Sequence, residues 1–396
     1  MLFFSDQHPL SLGGAQVSLR LQRKFLERAG HRVTIVSPRR HREHEADADT
    51  IDLASIRVSK DGEYSMFWPG RAAREALDRE LATREPVDIV HVQGDFWAGL
   101  LGTKFARSRG LPLVTTLHNR LDVGIAATMP APKLVARALG VWQRAMLGKG
   151  FGGTTAWDYL RGLAHAADTV IAPTNHFAAT LRDHDVRSEL HVIGTGVDDD
   201  SIRDIPLQNR DPSAPTRMIW IGRMSAEKRL LPFLQAVRES GVSARIDLVG
   251  TGAERKQAED FVERHGLTNV SFLGIVAYEE NLRNIARSDV LVQTSIGFET
   301  QGMTVSEAIC LGTKVIVCDP AIAGELPEGT FWAVRDDSVE ALAAVLRDAE
   351  AQAPGRRQSA SAGAAGKFLQ STRTERIIGV YESVIERHRR HRDPRQ

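Results

Sequence analysis

The 396-residue sequence predicts an α/β protein built from two doubly wound parallel-sheet domains. Three observations carry the prediction. Short apolar runs, mostly β-branched and four or five residues long, alternate with longer segments of helical periodicity, the pattern of parallel strands covered by helices on both faces. The runs are bounded by Gly, Pro, Asn or Asp. A proline-rich break divides the chain into halves, each within the usual domain size of about 100–200 residues.

In order, Leu2–Phe4 reads as the first strand, and Ala15–Arg28 as a helix with Val17, Leu21, Phe25 and Leu26 on its apolar face. Val33–Val36, Ile89–Val92, Leu113–Leu117, Thr169–Ala172 and Leu190–Ile193 follow as strands. The first strand is short for its position, which raises the expectation of a start codon assigned a few residues late. Asp204–Thr216 (DIPLQNRDPSAPT) carries three prolines and no apolar periodicity, so it reads as a linker. Beyond it, Met218–Ile221, Arg245–Val249, Val270–Leu273, Val290–Gln293 and Lys314–Val317 repeat the strand pattern. The expected division is 1–203, a linker at 204–216, 217–370, and a basic helix and tail at 371–396 that crosses back to the first domain.

Composition narrows the function classes. Hydrophobic residues make 42% and charged residues 26%, ordinary for a soluble globular chain. No stretch approaches the roughly 18 apolar residues of a membrane span, and the apolar start is too short for a signal peptide. Cys310 and Cys318 alone supply neither a disulfide framework nor a metal site. The cytoplasm is the default compartment. Net charge is 51 − 50 = +1, which argues against nucleic acid as a partner. The charge is uneven: residues 101–150 hold eight Lys or Arg against the single acid Asp122, and residues 301–350 hold three bases against nine acids.

Four segments carry chemistry. Ser5–Gln16 (SDQHPLSLGGAQ) is a strand-to-helix loop whose paired glycines let backbone N–H groups approach an anion. Gly250–Arg255 is not a dinucleotide fingerprint, because Arg255 replaces the third glycine. Gly222–Lys228 (GRMSAEK) follows a strand, and its Arg223 and Lys228 complement the oxygens of a diphosphate. Phe298–Gly312 (FETQGMTVSEAICLG) places Glu299 before a helix and Glu307 one turn inside it. Gly302 permits close approach, and the N–H groups of Met303 and Thr304 face a phosphate. Asp47-Ala-Asp49 lies in a polar stretch and reads as a solvated loop.

Taken together, GGAQ, TTLHN at 115–119, GTGVDDD at 194–200, GRMSAEK, FLGIV and the E-x₇-E segment are similar to the retaining glycosyltransferases of family 4. That resemblance spans nearly the whole chain and implies the GT-B architecture, two Rossmann-like domains facing across a cleft, with closure about the linker. It implies a UDP- or GDP-hexose as co-substrate, with no cofactor and no metal. It makes Arg223 and Lys228 the diphosphate ligands, Glu307 the ribose ligand and Glu299 the sugar contact. Gly14, Gly302, Met303 and Thr304 are implied to hold the donor through backbone, Ile275 and Val276 to meet its base, and His118 to stand near the reacting carbon. One departure concerns the sugar contacts: where the family reads E-G-F-G-[LI], this chain reads Glu299-Thr300-Gln301-Gly302-Met303, so the second glycine is kept and the first is not.

The resemblance also implies retention by front-face displacement, the donor phosphate taking the acceptor proton. For the acceptor, Gln16, Gln93, Phe96 and Trp97 are the candidates, and His91–Trp97 is similar to a stretch in the glycolipid-forming branch. Residues 133–151 read as a basic amphipathic helix, with Leu134, Val135, Ala138, Val141, Trp142 and Ala145 as its apolar stripe, suited either to an anionic membrane or to packing that stripe on the sheet with the charges facing solvent. The expected function is hexose transfer to a lipid, peripheral on the inner face of the cell membrane. The alternatives are transfer to a soluble or polyprenyl-linked saccharide, a sugar-nucleotide 2-epimerase, and a non-catalytic nucleotide-binding scaffold.

Overall fold

The computed structural model describes residues 1–205, 213–353 and 365–392. Met1–Thr195 with Arg373–Gln396 forms one compact unit and Gly196–Thr372 the other.

The first unit contains β1 (Leu2–Phe4), β2 (Thr34–Pro38), β3 (Thr50–Leu53), a small antiparallel pair β4 (Ile56–Arg57) and β5 (Ser65–Met66), then β6 (Val90–Val92), β7 (Leu113–Thr116), β8 (Thr169–Ala172) and β9 (Leu190–Val192). Its parallel sheet runs β3-β2-β1-β6-β7-β8-β9. Phe3 is in register with Ile35 on one side and His91 on the other. Every residue of β1, β2, β6, β7 and β8 is buried, as expected of strands covered on both faces. The two-residue strand period divides the covering layers. Leu2 and Phe4 pack with Leu101 and Phe105 of the helix Trp97–Arg109. Phe3 faces the opposite side, toward Leu19 and Leu26 and toward Tyr381 and Val384 of the last helix, Gln370–Arg392. The chain therefore returns to the first unit at its end and completes that face. Truncating a core aromatic such as Phe3 to alanine costs about 3–5 kcal/mol.

The second unit contains β10 (Arg217–Ile221), β11 (Arg245–Val249), β12 (Val270–Gly274), β13 (Val290–Gln293), β14 (Lys314–Val317) and β15 (Phe331–Ala333). Its sheet runs β12-β11-β10-β13-β14-β15, the doubly wound order with its switch between β10 and β13. Trp220, almost wholly buried, anchors the core on one face with Phe233 and Leu248.

The units divide at Thr195/Gly196, earlier than the expected 203. The Val197 N–H donates to the Phe368 carbonyl (2.7 Å), and the Gln370 N–H donates back to the Val197 carbonyl (2.8 Å). A Cβ on Gly196 would stand 2.4 Å from the Gln370 Cα, so this close approach requires glycine. Ile205 packs into the second core. Of the expected linker, residues 206–212 lie outside the described residues.

Candidate functional site

The strand order directs attention to the C-terminal ends of β10 and β13, where doubly wound sheets bind ligands. After β10 the chain makes the turn Gly222–Arg229. After β13 it forms the loop Thr294–Gly302 that leads into the helix Met303–Cys310. Lys228 and Glu299 meet here in an ion pair, and the Ser295 hydroxyl donates to the same carboxylate (3.2 Å). Arg223 is two-thirds exposed, and its guanidinium donates to Glu227 (2.8 Å), which also accepts from Ser225 (2.6 Å). Despite burial, the Ser225 and backbone hydrogen bonds and Arg223 hold the Glu227 carboxyl below its ordinary range. Two cations thus flank the strand end, each resting on a carboxylate.

Gly302 has φ 70°, the left-handed region that favours glycine, and it starts the helix Met303–Cys310. Gly302 supplies no side-chain cap, and the first-turn N–H groups of Met303 and Thr304 stand at this helix start, a geometry that suits an anion. Glu307 is almost fully buried one turn in. Burial pushes its carboxyl up to about 7, partly countered by the Tyr278 phenol beside it. Tyr278 begins the helix Tyr278–Arg287, and burial followed by the Glu307 charge pushes its phenol up as well. A buried carboxylate accepting from nearby hydroxyls is suited to a vicinal diol. Ile275 is exposed and Val276 half-buried in the turn just before Tyr278. The second unit therefore brings Arg223, Lys228, Glu299, Gly302, Met303, Thr304 and Glu307 to elements at one end of its sheet.

The first unit has its own switch, between β1 and β6. Asp6 follows β1, Asp95 follows β6, and His118 and Asn119 follow β7. Asp6 accepts from the Phe96 and Ala98 N–H groups (both 2.9 Å), which fastens the start of the helix Trp97–Arg109. Asp95 accepts from the Asn119 amide (2.5 Å). Burial pushes Asp6 to about 6 and Asp95 to about 7, Asp6 adding to the Asp95 shift. Burial drives His118 down to about 4 and His91 to about 3, the nearby His118 contributing to the latter. Both imidazoles are neutral at pH 7. His91 is internal, bonded to the Tyr381 hydroxyl (2.6 Å) and the Thr116 hydroxyl (2.7 Å).

The acceptor candidates divide by environment. The Trp97 indole N–H donates to the Asp6 carbonyl (2.8 Å), and its ring packs against the core, so Trp97 is largely committed to the fold. Phe96 stacks on it at 5.8 Å. The Gln93 amide donates to Gln22 (2.9 Å), while its carbonyl oxygen is buried without a hydrogen-bond partner among the described residues. Gln16 is buried at the start of the first long helix, Gly14–Arg28, its amide beneath Gly13.

The basic segment is the helix Pro132–Leu147. Its apolar positions face two ways. Val135 and Trp142 pack inward, while Leu134 and Val141 are 64% and 70% exposed on a face shared with Lys133, Arg137 and Arg144. Trp142 stacks on the exposed Trp68 (5.6 Å, 20°). No Asp or Glu occurs from Val123 to Trp157. Among the described residues no helix is long and apolar enough to cross a membrane.

Sequence reading passed over several groups. Asp6 and Asp95 carried a usable signal, since both lie just beyond the ends of adjacent central strands. Tyr278, Ser295 and Thr294 carried none. Nor did a cluster of His8, His44 and Asp52, whose ligand atoms lie within 4.8 Å of one another. His8 Nδ1 accepts the Leu10 N–H (3.1 Å), which leaves its proton on Nε2 facing Asp52. That arrangement is a carboxylate flanked by two imidazoles, and the tautomer opposes a metal at His8. Asp47, expected in a solvated loop, is exposed and paired with Arg23.

The family model Glycosyltransferase Family 4 matches residues 12–201, and Glycosyl transferases group 1 matches residues 201–365. The chain is 25% identical over 334 residues to alpha-monoglucosyldiacylglycerol synthase of Streptococcus pneumoniae, covering 79% of this chain and 69% of the relative. It is 24% identical over 330 residues to a GDP-mannose-dependent alpha-(1-6)-phosphatidylinositol dimannoside mannosyltransferase of Mycobacterium tuberculosis, covering 81% and 79%. Its fold matches sucrose-phosphate synthase of Thermosynechococcus elongatus with a TM-score of 0.72 at 18% identity, over 97% and 98% of the two chains.

Proposed function

The chain belongs to glycosyltransferase family 4 and is a GT-B hexosyltransferase that uses a nucleotide sugar; on that premise we propose that it transfers a hexose, with retention, to a lipid at the surface of an anionic membrane. The observation that carries the lipid reading is the face of the helix Pro132–Leu147. Leu134 and Val141 are exposed between Lys133, Arg137 and Arg144, with the Trp142–Trp68 stack at its edge. Apolar side chains dip below the headgroups, aromatics sit at their level, and lysine and arginine engage anionic phosphates. The two curated relatives act on glycerolipid and phosphatidylinositol glycolipids by their names, which supports the same acceptor class.

The second unit holds the donor in this reading. Arg223 leaves Glu227, and Lys228 turns from Glu299, to meet the diphosphate, which also caps the Met303–Cys310 helix. Glu307 accepts from the ribose hydroxyls, Glu299 from the sugar, and the Ile275–Val276 backbone meets the base. In transfer, the bond from the anomeric carbon to the phosphate oxygen breaks. The acceptor oxygen bonds to that carbon on the same face, and its proton passes to the departing phosphate. Charge grows on the diphosphate as this happens, and preorganised cations stabilise it. His118 is neutral at pH 7 and serves hydrogen bonding rather than proton delivery. The first unit, with Gln16, Gln93 and Phe96, takes the acceptor, at the inner face of the cell membrane.

Donor consumption by purified protein, screened across UDP- and GDP-hexoses with and without anionic liposomes containing diacylglycerol or phosphatidylinositol, tests the reading. Turnover that requires liposomes supports it. Turnover with soluble or polyprenyl-linked saccharides alone moves the acceptor to that class.

A further inference from the structure

Lys228 is delivered by a backbone conformation that side chains with a Cβ avoid. Among the described residues, only Asp185 and Arg229 outside glycine have positive φ. Arg229 (φ 54°, ψ 39°) stands between the tight turn Ala226–Lys228 and the helix Leu230–Ser240. Its left-handed conformation brings the Cβ close to a carbonyl oxygen, so it persists only where surroundings over-determine it.

Those surroundings grip the residue from both sides. The Lys228 carbonyl accepts the Thr294 hydroxyl (2.5 Å), which itself accepts the Trp220 indole N–H (2.8 Å). Trp220 is in the core, so this relay fixes the near side of the turn to the sheet. On the far side, the Arg229 guanidinium donates to the Asp337 carbonyl (2.6 Å), 108 positions later and just before the helix Val339–Gln352. We propose that Arg229 is a positioning residue for Lys228: its bond to the Asp337 carbonyl holds the left-handed turn that aims the Lys228 ammonium at Glu299 and the donor diphosphate. The proposal rests on the donor-site reading above. Without the tether, a residue with a Cβ relaxes toward right-handed backbone and Lys228 loses its aim. Glycine needs no tether, because it adopts this conformation freely.

Three variants separate this role from a charge effect, with Lys228→Ala as the control for the donor site. Arg229→Ala keeps the Cβ and loses the tether, and is expected to lower kcat and UDP or GDP affinity by roughly 10- to 100-fold, as small misplacements of reacting groups do. Arg229→Gly is expected to stay within about threefold of the parent, since it frees the backbone. Arg229→Lys is expected to fall between them. Thermal melts check that each variant folds, and calorimetry with UDP and GDP reads binding apart from turnover. Equal activity in the alanine and glycine variants overturns the proposal, whether both match the parent or both lose activity. If Lys228→Ala leaves donor binding and turnover intact, the donor-site reading itself fails and takes the proposal with it.

Discussion

Lys228 and Glu299, 71 positions apart in sequence, are joined as an ion pair where β10 and β13 end. Both side chains are about four-fifths buried, so neither charge is left to water alone. In the proposed donor site, binding would exchange this carboxylate partner for a phosphate one.

Removing a cation from this end of the sheet should act on chemistry more than on folding. Lys228→Ala is expected to lower turnover by on the order of 10²–10³, the usual loss for one preorganised electrostatic donor. Arg223→Ala should fall in the same range with little change in melting temperature, because Arg223 is largely exposed and carries no core packing. Steady-state kinetics with the preferred donor, beside a thermal melt of each variant, measures both.

Glu307 should make donor binding depend on pH. Burial raises its carboxyl to about 7, so its ionised form, the better acceptor for two ribose hydroxyls, gains population between pH 6 and 8. UDP or GDP affinity is expected to rise over that interval, and Glu307→Gln to bind weakly with a flat profile. The raised value also works on stability. The folded state holds its proton longer than the unfolded one, so its contribution favours folding at low pH and is lost as pH rises through about 7. Calorimetric titrations at several pH values read the binding side, and melts of the glutamine variant read the other.

His91 predicts the opposite stability trend in acid. It is buried and neutral, with a value near 3, whereas the unfolded chain binds a proton near the ordinary imidazole value of about 6.5. Stability should therefore fall as pH drops below about 6.5. His91→Gln is expected to flatten that slope while lowering stability at pH 7. Tyr381→Phe, which removes one hydrogen bond to His91, should cost about 0.5–1.5 kcal/mol at pH 7. Urea melts across pH 4–8 measure each.

Vesicle binding should depend on the outer face of Pro132–Leu147. Leu134→Asp combined with Val141→Asp is expected to reduce co-sedimentation with anionic liposomes at least tenfold without changing the melting temperature, since both side chains are exposed. Substituting Val135, which packs inward, should instead lower stability.

Strands that run through the middle of each sheet were legible in sequence because burial on both faces demands an unbroken apolar run. β3 was not: it sits at an edge and alternates, with Asp52 exposed between Ile51 and Leu53. β15, another edge strand, is only half-buried. The compact units part at Thr195/Gly196 rather than at 203, where Val197 pairs with Leu369, a contact that leaves no local pattern. Helical spacing identified the apolar positions of Pro132–Leu147 but could not separate Val135, facing in, from Leu134, facing out. Arg223, Lys228, Glu299 and Glu307 stood out in sequence because phosphate and diol recognition would call for those residue types after strands, and the structure places all four on elements that follow β10 and β13. Their roles toward a donor belong to the proposal. Arg229 was not, since a left-handed turn at arginine contradicts its propensity and depends on the distant Asp337 carbonyl.

Identification of the product tests hexose transfer to lipid most directly. Purified protein is incubated with labelled UDP- or GDP-hexose and anionic liposomes carrying diacylglycerol or phosphatidylinositol, and the lipid fraction is extracted. Label should enter a glycolipid with the anomeric configuration of the donor, and should vanish from it in Lys228→Ala. Consumed donor with all label in water-soluble sugar, or bound nucleotide with no transfer to any lipid, would contradict it.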